Sequence, residues 1–158
     1  MTLTYLPLQL KGHVYRSAMP FSYYDKDGST YNDFKIHEIH TVVLLTSDEE
    51  ALQETGLDLR KRYQRDGIDV IHVPMINYMA IPLDELRIKV NEAILEANSG
   101  KNLVVHCLAG IGRTGLFVAC MAKIALGLNG DEALDWVKKY INRSSPESDE
   151  QREAVRRF

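Results

Sequence analysis

Cysteine is almost missing from this chain. Its two residues, Cys107 and Cys120, are too few for a disulfide scaffold and fit a reducing compartment. An excess of positive charge is missing too. The formal net charge of -3 argues against a nucleic-acid-binding surface, while leaving room for a local basic pocket. No apolar run is long enough to cross a bilayer; the longest, Leu116 to Leu126, has Lys123 inside it. No basic flank leads into an apolar stretch at the N-terminus, so nothing there reads as a secretory signal. Repeats, low-complexity tracts and linkers are likewise lacking. His13, His37, His40 and His72 show no metal-ligand spacing and read as ordinary strand and loop histidines. What remains is 45% hydrophobic and 26% charged over 158 residues, sufficient for a packed core. The expectation is one cytoplasmic, monomeric domain covering residues 1–158, with no membrane or nucleic-acid partner.

Against that background one stretch stands out: His106-Cys107-Leu108-Ala109-Gly110-Ile111-Gly112-Arg113-Thr114-Gly115. It follows the apolar segment Asn102-Leu103-Val104-Val105 and precedes Leu116 to Leu126. A cysteine between a buried strand and a helix start meets successive backbone N–H groups and the positive end of the helix dipole. In that field a thiol loses its proton more easily than the reference value of about 8.5, giving a thiolate nucleophile at neutral pH. Gly110, Gly112 and Gly115 let the backbone wrap without Cβ clashes. Arg113 offers a planar, always-charged fork to the equatorial oxygens of an anion. The amides of Leu108, Ala109, Gly110, Ile111, Gly112 and Arg113 complete the cradle. Thr114 lies next to the expected position of the sulfur and can hydrogen-bond it as a leaving group. These parts suit a tetrahedral dianion attacked by sulfur. Arginine and amides supply the positive field, so neither metal nor cofactor is called for. His106 tunes the thiolate through buried hydrogen bonds, and Cys120 reads as core.

Along the rest of the chain, residues 1–30 are punctuated by Pro7, Gly12, Pro20 and Gly28, with a short strand at Val14-Tyr15 and an exposed turn over residues 23–28. A short helix is expected over 31–39 and a buried strand over 40–46. Ser47 followed by Asp48, Glu49 and Glu50 is a helix-start pattern, with the acids compensating the dipole. That helix runs to Arg65 and closes at Gly67, and Ile68 to Val73 is the next strand. Pro82 sits at a helix N1 position with Asp84 and Glu85 behind it. Leu86, Val90, Ile94 and Ala97 continue at helical spacing to Gly100. After the strand at 102–107 and the helix to about Gly127, Asp131 opens a helix with Leu134, Val137 and Ile141 inside and Trp136 and Tyr140 filling its packing face. Pro146 begins the last helix, with Gln151, Val155 and Phe158 on one face. Alternating strands and helices predict an α/β domain with a mainly parallel sheet, its ligand beyond the carboxyl ends of the strands.

The decad resembles the signature of the cysteine-dependent protein tyrosine phosphatases, which reads His-Cys, five residues, Arg, then Ser or Thr. Over most of its length the chain is similar to the small dual-specificity and kinase-associated phosphatases. That resemblance implies a phosphoprotein phosphatase working through a phosphocysteine, acting on phosphotyrosine or on several phosphoresidues. It implies a glutamine orienting the second-step water from a Glu-Thr-x-x-Gln pattern, matched loosely by Glu147 to Gln151. It also implies a general acid within Pro-x-x-Asp-x-x-x-Pro. Here the matching stretch, Pro74 to Pro82, carries Asn77 at the aspartate position and is one residue longer.

An amide cannot donate that proton, and losing general acid catalysis costs about 100- to 10,000-fold. Three readings stay open: another carboxylate (Asp84, Asp48, Glu49 or Glu50) supplies it; the enzyme works without an acid on good leaving groups; or the protein binds phosphate groups with little turnover. An RNA 5′-phosphatase is a rival enzyme reading, disfavoured by the acidic charge. Leu108, Ala109 and Ile111 lack the lysines of inositol-lipid phosphatases, which favours phosphorylated protein or peptide substrates.

Overall fold

A mixed five-stranded sheet runs through the centre of the computed structural model, which describes residues 2–158. Its strands are β1 (Thr4–Leu6), β2 (Val14–Ser17), β3 (Thr41–Leu44), β4 (Asp69–His72) and β5 (Leu103–His106), in the spatial order β1-β2-β5-β3-β4. Strands β2 to β5 pair in parallel, as the alternation of strands and helices predicts, whereas β1 joins β2 antiparallel at the edge. Strand β1 escapes the sequence reading because three residues between turn formers carry no usable periodicity.

Seven helices surround the sheet: α1 (Ser29–Ile36), α2 (Asp48–Thr55), α3 (Leu59–Arg65), α4 (Leu83–Asn98), α5 (Gly112–Leu126), α6 (Gly130–Tyr140) and α7 (Asp149–Arg157). Side chains alternate across the central strands. Val43, Leu45, Leu103 and Val105 face α4 to α7, while Val42, Leu44 and Val104 face the side covered by α1 to α3. Helix α5 has its first eleven residues buried, which accounts for the apolar run that follows the loop after β5.

Four expected helices differ in their limits. The one expected over 31–39 is α1, Ser29–Ile36, closed by His37, whose N–H donates to Asp33 O. The single helix foreseen from Asp48 to Arg65 is two, because Gly56 closes the first at φ 74° and the Asp58 side chain opens the second by accepting from Lys61 N. The last helix starts at Asp149, not Pro146, since Ser148 and Gln151 form a reciprocal capping box. Pro82 is the residue before α4 rather than its first.

Topology places the site. Strand β5 lies between β2 and β3, and Ser17, His106 and Leu44 stand at the same level in the register. The segments that follow these strands therefore emerge side by side at one edge of the sheet, with residues 73–82 arriving beyond them after β4.

Candidate active site

The loop from Cys107 to Ile111 is held by its carbonyls. Cys107 O accepts from His106 Nδ1 at 2.9 Å, and Leu108 O from Met19 N at 2.8 Å. Arg16, at the end of β2, donates to Ala109 O at 3.0 Å and to Gly110 O at 2.7 and 3.0 Å. Ser145 Oγ donates to Ile111 O at 2.7 Å. In a trans peptide the C=O and N–H point in opposite directions. The amides of residues 108–112 are thus turned away from all these partners, and none of them donates to another group among the described residues. Gly110 carries the turn at φ 79°, and a Cβ there would meet Arg16 Nη2 at 2.2 Å and Ser17 O at 2.3 Å.

Arg113, the largest fully buried side chain, leaves the first turn of α5. Its end-on fork grips Glu50, with both Nη atoms 2.9 Å from the two carboxylate oxygens, and Nη1 also donates to Met75 O at 3.0 Å. Nε is buried and has no partner among the described residues. A guanidinium has five N–H donors. The side fork of Nε and the second Nη2 hydrogen is therefore left for an anion, while Glu50 fixes the plane. Burial alone would lower the Arg113 pKa; the Glu50 bridge and the Cys107 sulfur raise it above its ordinary value.

Cys107 is buried, and its Sγ accepts from Thr114 Oγ1 at 3.2 Å. His106 lies wholly in the interior. A carbonyl can only accept, so the bond to Cys107 O puts the ring proton on Nδ1; Nε2 then accepts from Tyr63 OH at 2.8 Å. Burial pushes the His106 pKa down to about 4, with the nearby Arg113 charge acting the same way, so the ring is neutral near pH 7. Burial also holds the Tyr63 hydroxyl well above its usual range, keeping its proton for this bond. Cys120 is core, its thiol pushed up to about 12 by burial.

A family model described as "Polymorphic toxin system, DSP-PTPase phosphatase" matches residues 23–125, from the turn after β2 through nearly all of α5. The chain belongs to this DSP-PTPase phosphatase family. It is a small relation of the cysteine-based protein tyrosine phosphatases. Tyrosine-protein phosphatase cdc-14 of Caenorhabditis elegans is 26% identical over 111 residues, which cover 68% of this chain and 14% of that protein. The chain thus spans about a seventh of that relative's length. Among solved structures, Tk-PTP in its active form is similar at a TM-score of 0.77 and 25% identity, over 92% of this chain and 90% of that one. Kinase associated phosphatase with its catalytic cysteine changed to serine reaches a TM-score of 0.88 over 99% of this chain and 92% of that one. At 16% identity that likeness concerns the fold.

Other residues expected at the site of this DSP-PTPase phosphatase stand apart from the loop or are engaged elsewhere. Asn77 is exposed, and its Oδ1 closes a local turn by accepting from Tyr78 N at 3.1 Å. Glu50 is committed to Arg113, and Asp48 pairs with Arg60, so neither is a free acid. Glu49 and Asp84 are exposed in the first turns of α2 and α4. Gln151 is fully buried, and its Oε1 accepts from Glu147 N and Ser148 N.

Four contributors are absent from the sequence reading: the Arg16 clamp, the Ser145 hydroxyl on Ile111 O, the Glu50 bridge and the Tyr63 hydroxyl behind His106. Arg16 left one signal, a charge at the end of an otherwise apolar strand; the pairing of Glu50 and Tyr63 with the loop depends on packing.

Two outcomes follow from this geometry. Arg16→Met removes the clamp on two carbonyls and weakens inorganic phosphate binding about tenfold or more by calorimetry, with an unchanged far-ultraviolet dichroism spectrum. Between pH 6.5 and about 4 the unfolded chain protonates His106 while the native ring stays neutral, so stability falls as pH falls through that window, by at most about 3 kcal/mol. Urea unfolding of wild type beside His106→Asn measures it, the variant showing a flatter pH dependence.

Proposed function

We propose that this chain is a phosphoprotein phosphatase that hydrolyses phosphotyrosine, and more slowly phosphoserine and phosphothreonine, through a phosphocysteine intermediate. The observation that carries this reading is a run of unpartnered amides on the same loop as a buried sulfur, beside the open side fork of a buried arginine. Three equatorial phosphate oxygens need several fixed donors, and the loop supplies them without reorganisation. Cys107 Sγ attacks phosphorus in line and the phenolic oxygen departs. Water then attacks the phosphocysteine, and sulfur leaves as the anion that the Thr114 hydroxyl already contacts.

Two features support a protein substrate and a preference for tyrosine. Leu108, Ala109 and Ile111 bring no charge to the loop. Exposed apolar side chains flank it, with Tyr23 and Tyr24 after β2 and Ile76, Tyr78 and Met79 after β4. A tyrosyl phenol, with a pKa of about 10, also leaves more readily than a serine or threonine alkoxide.

Rapid mixing with an aryl phosphate tests the proposal. Hydrolysis of the phosphocysteine is the slow step, so wild type releases up to one equivalent of phenol in a fast phase before steady turnover. Radiolabelled phosphate is trapped on Cys107 after acid quench. Cys107→Ser gives neither. Turnover that survives Cys107→Ser, or label recovered on another residue, refutes the phosphocysteine.

A further inference from the structure

Asn77 leaves the phosphocysteine reading without a proton donor, and one carboxylate answers the need. Segment 145–148 is fastened to the phosphate loop by Ser145 Oγ on Ile111 O, and to α7 by Glu147 N and Ser148 N on Gln151 Oε1. Between these anchors the Glu147 side chain lies against the Cα of Gly112. A methyl group built on that glycine would sit 2.6 Å from Glu147 Oε1. Gly112 is the last residue before Arg113, and its amide is one of the unpartnered donors. The carboxylate therefore stands at the rim of the phosphate cradle. Of the other acids on the neighbouring segments, Asp48 is held by Arg60, Glu50 by Arg113, Asp149 by Arg152 and Glu150 by Ala80 N, while Glu49 and Asp84 are exposed on the first turns of α2 and α4. The Glu147 carboxylate has no hydrogen-bond partner among the described residues and is open to solvent, as a proton shuttle must be.

We propose that Glu147 is the general acid and base of this site, a proposal that rests on the phosphocysteine reading. When a phosphate dianion arrives beside the carboxylate, keeping both negative is costly and a proton is drawn onto the pair. As Cys107 Sγ bonds to phosphorus and the ester P–O bond breaks, Glu147 gives that proton to the departing oxygen, which leaves as the neutral alcohol. The carboxylate so formed takes a proton from water while the water oxygen attacks phosphorus, the P–S bond breaks and sulfur recovers its electron pair. Inorganic phosphate departs, and Glu147 is again protonated.

Leaving-group dependence separates this role from a structural one. Wild type, Glu147→Gln and Cys107→Ser are compared on aryl phosphates from phenyl to 2,4-dinitrophenyl, with inorganic phosphate binding as the check on folding. Glu147→Gln is expected to lose about 100-fold or more on phenyl phosphate and far less on the dinitrophenyl ester, whose oxygen needs no proton. Its kcat profile, which reports the enzyme–substrate complex, also loses the alkaline limb. Equal losses on every ester, or wild-type rates on phenyl phosphate, overturn the role of Glu147 and leave the phosphocysteine standing. Activity that persists in Cys107→Ser overturns both.

Discussion

A trans peptide cannot point its carbonyl and its amide the same way, and the loop from Cys107 to Gly112 is built on that restriction. Five consecutive carbonyls are held by neighbouring groups: a histidine ring, the Met19 amide, the Arg16 guanidinium twice, and the Ser145 hydroxyl. Each bond fixes a peptide plane, and five planes together fix the direction of the amides. The loop thereby acquires its donors before any anion arrives, so binding needs little rearrangement. Helix α5 adds its positive end and the buried core on which it rests.

Arg113 illustrates the same economy. A buried guanidinium with no partner would be costly to desolvate, and Glu50 offsets that cost while leaving the side fork open. The bond from Arg113 to Met75 O connects the phosphate site to the start of residues 74–82, and α7 holds the far part of that loop. Ser148 Oγ donates to Tyr78 O at 2.6 Å, and Glu150 Oε2 accepts from Ala80 N at 2.7 Å. Tyr78 adopts φ 66°, a left-handed conformation that these bonds help to hold. Asn77 thus belongs to a tethered turn, and an amide that caps its neighbour suits that place better than an acid that must keep a proton to give.

Much of the site was legible because its main chemistry is contiguous. Cys107, Arg113 and Thr114 share one loop and one helical turn, so their spacing alone brings them together. Gln151 was legible as a loose match to a family spacing, and packing decided what its side chain touches. Its amide satisfies backbone donors at the entrance to α7, and the neighbouring Glu147 is the one turned to the loop. The acidic cluster after β3 read as dipole compensation, and Ser47 does cap α2 by accepting from Glu50 N. The same Glu50 also reaches across to Arg113.

The sequence by itself determined the order of β2 to β5 and of most of the helices between and after them, the buried character of β3, β5 and α5, and the loop that carries the cysteine and leads to the arginine. Those features follow from local patterns: periodicity, caps, and residues within a few positions of one another. Tertiary structure decided which distant groups serve the loop, since Arg16, Glu50, Tyr63 and Ser145 reach it or the residues beside it from four separate segments. It also decided that β1 closes the sheet edge. Such choices depend on which peptide planes and charges need partners once the chain is packed, and a one-dimensional pattern does not carry that information.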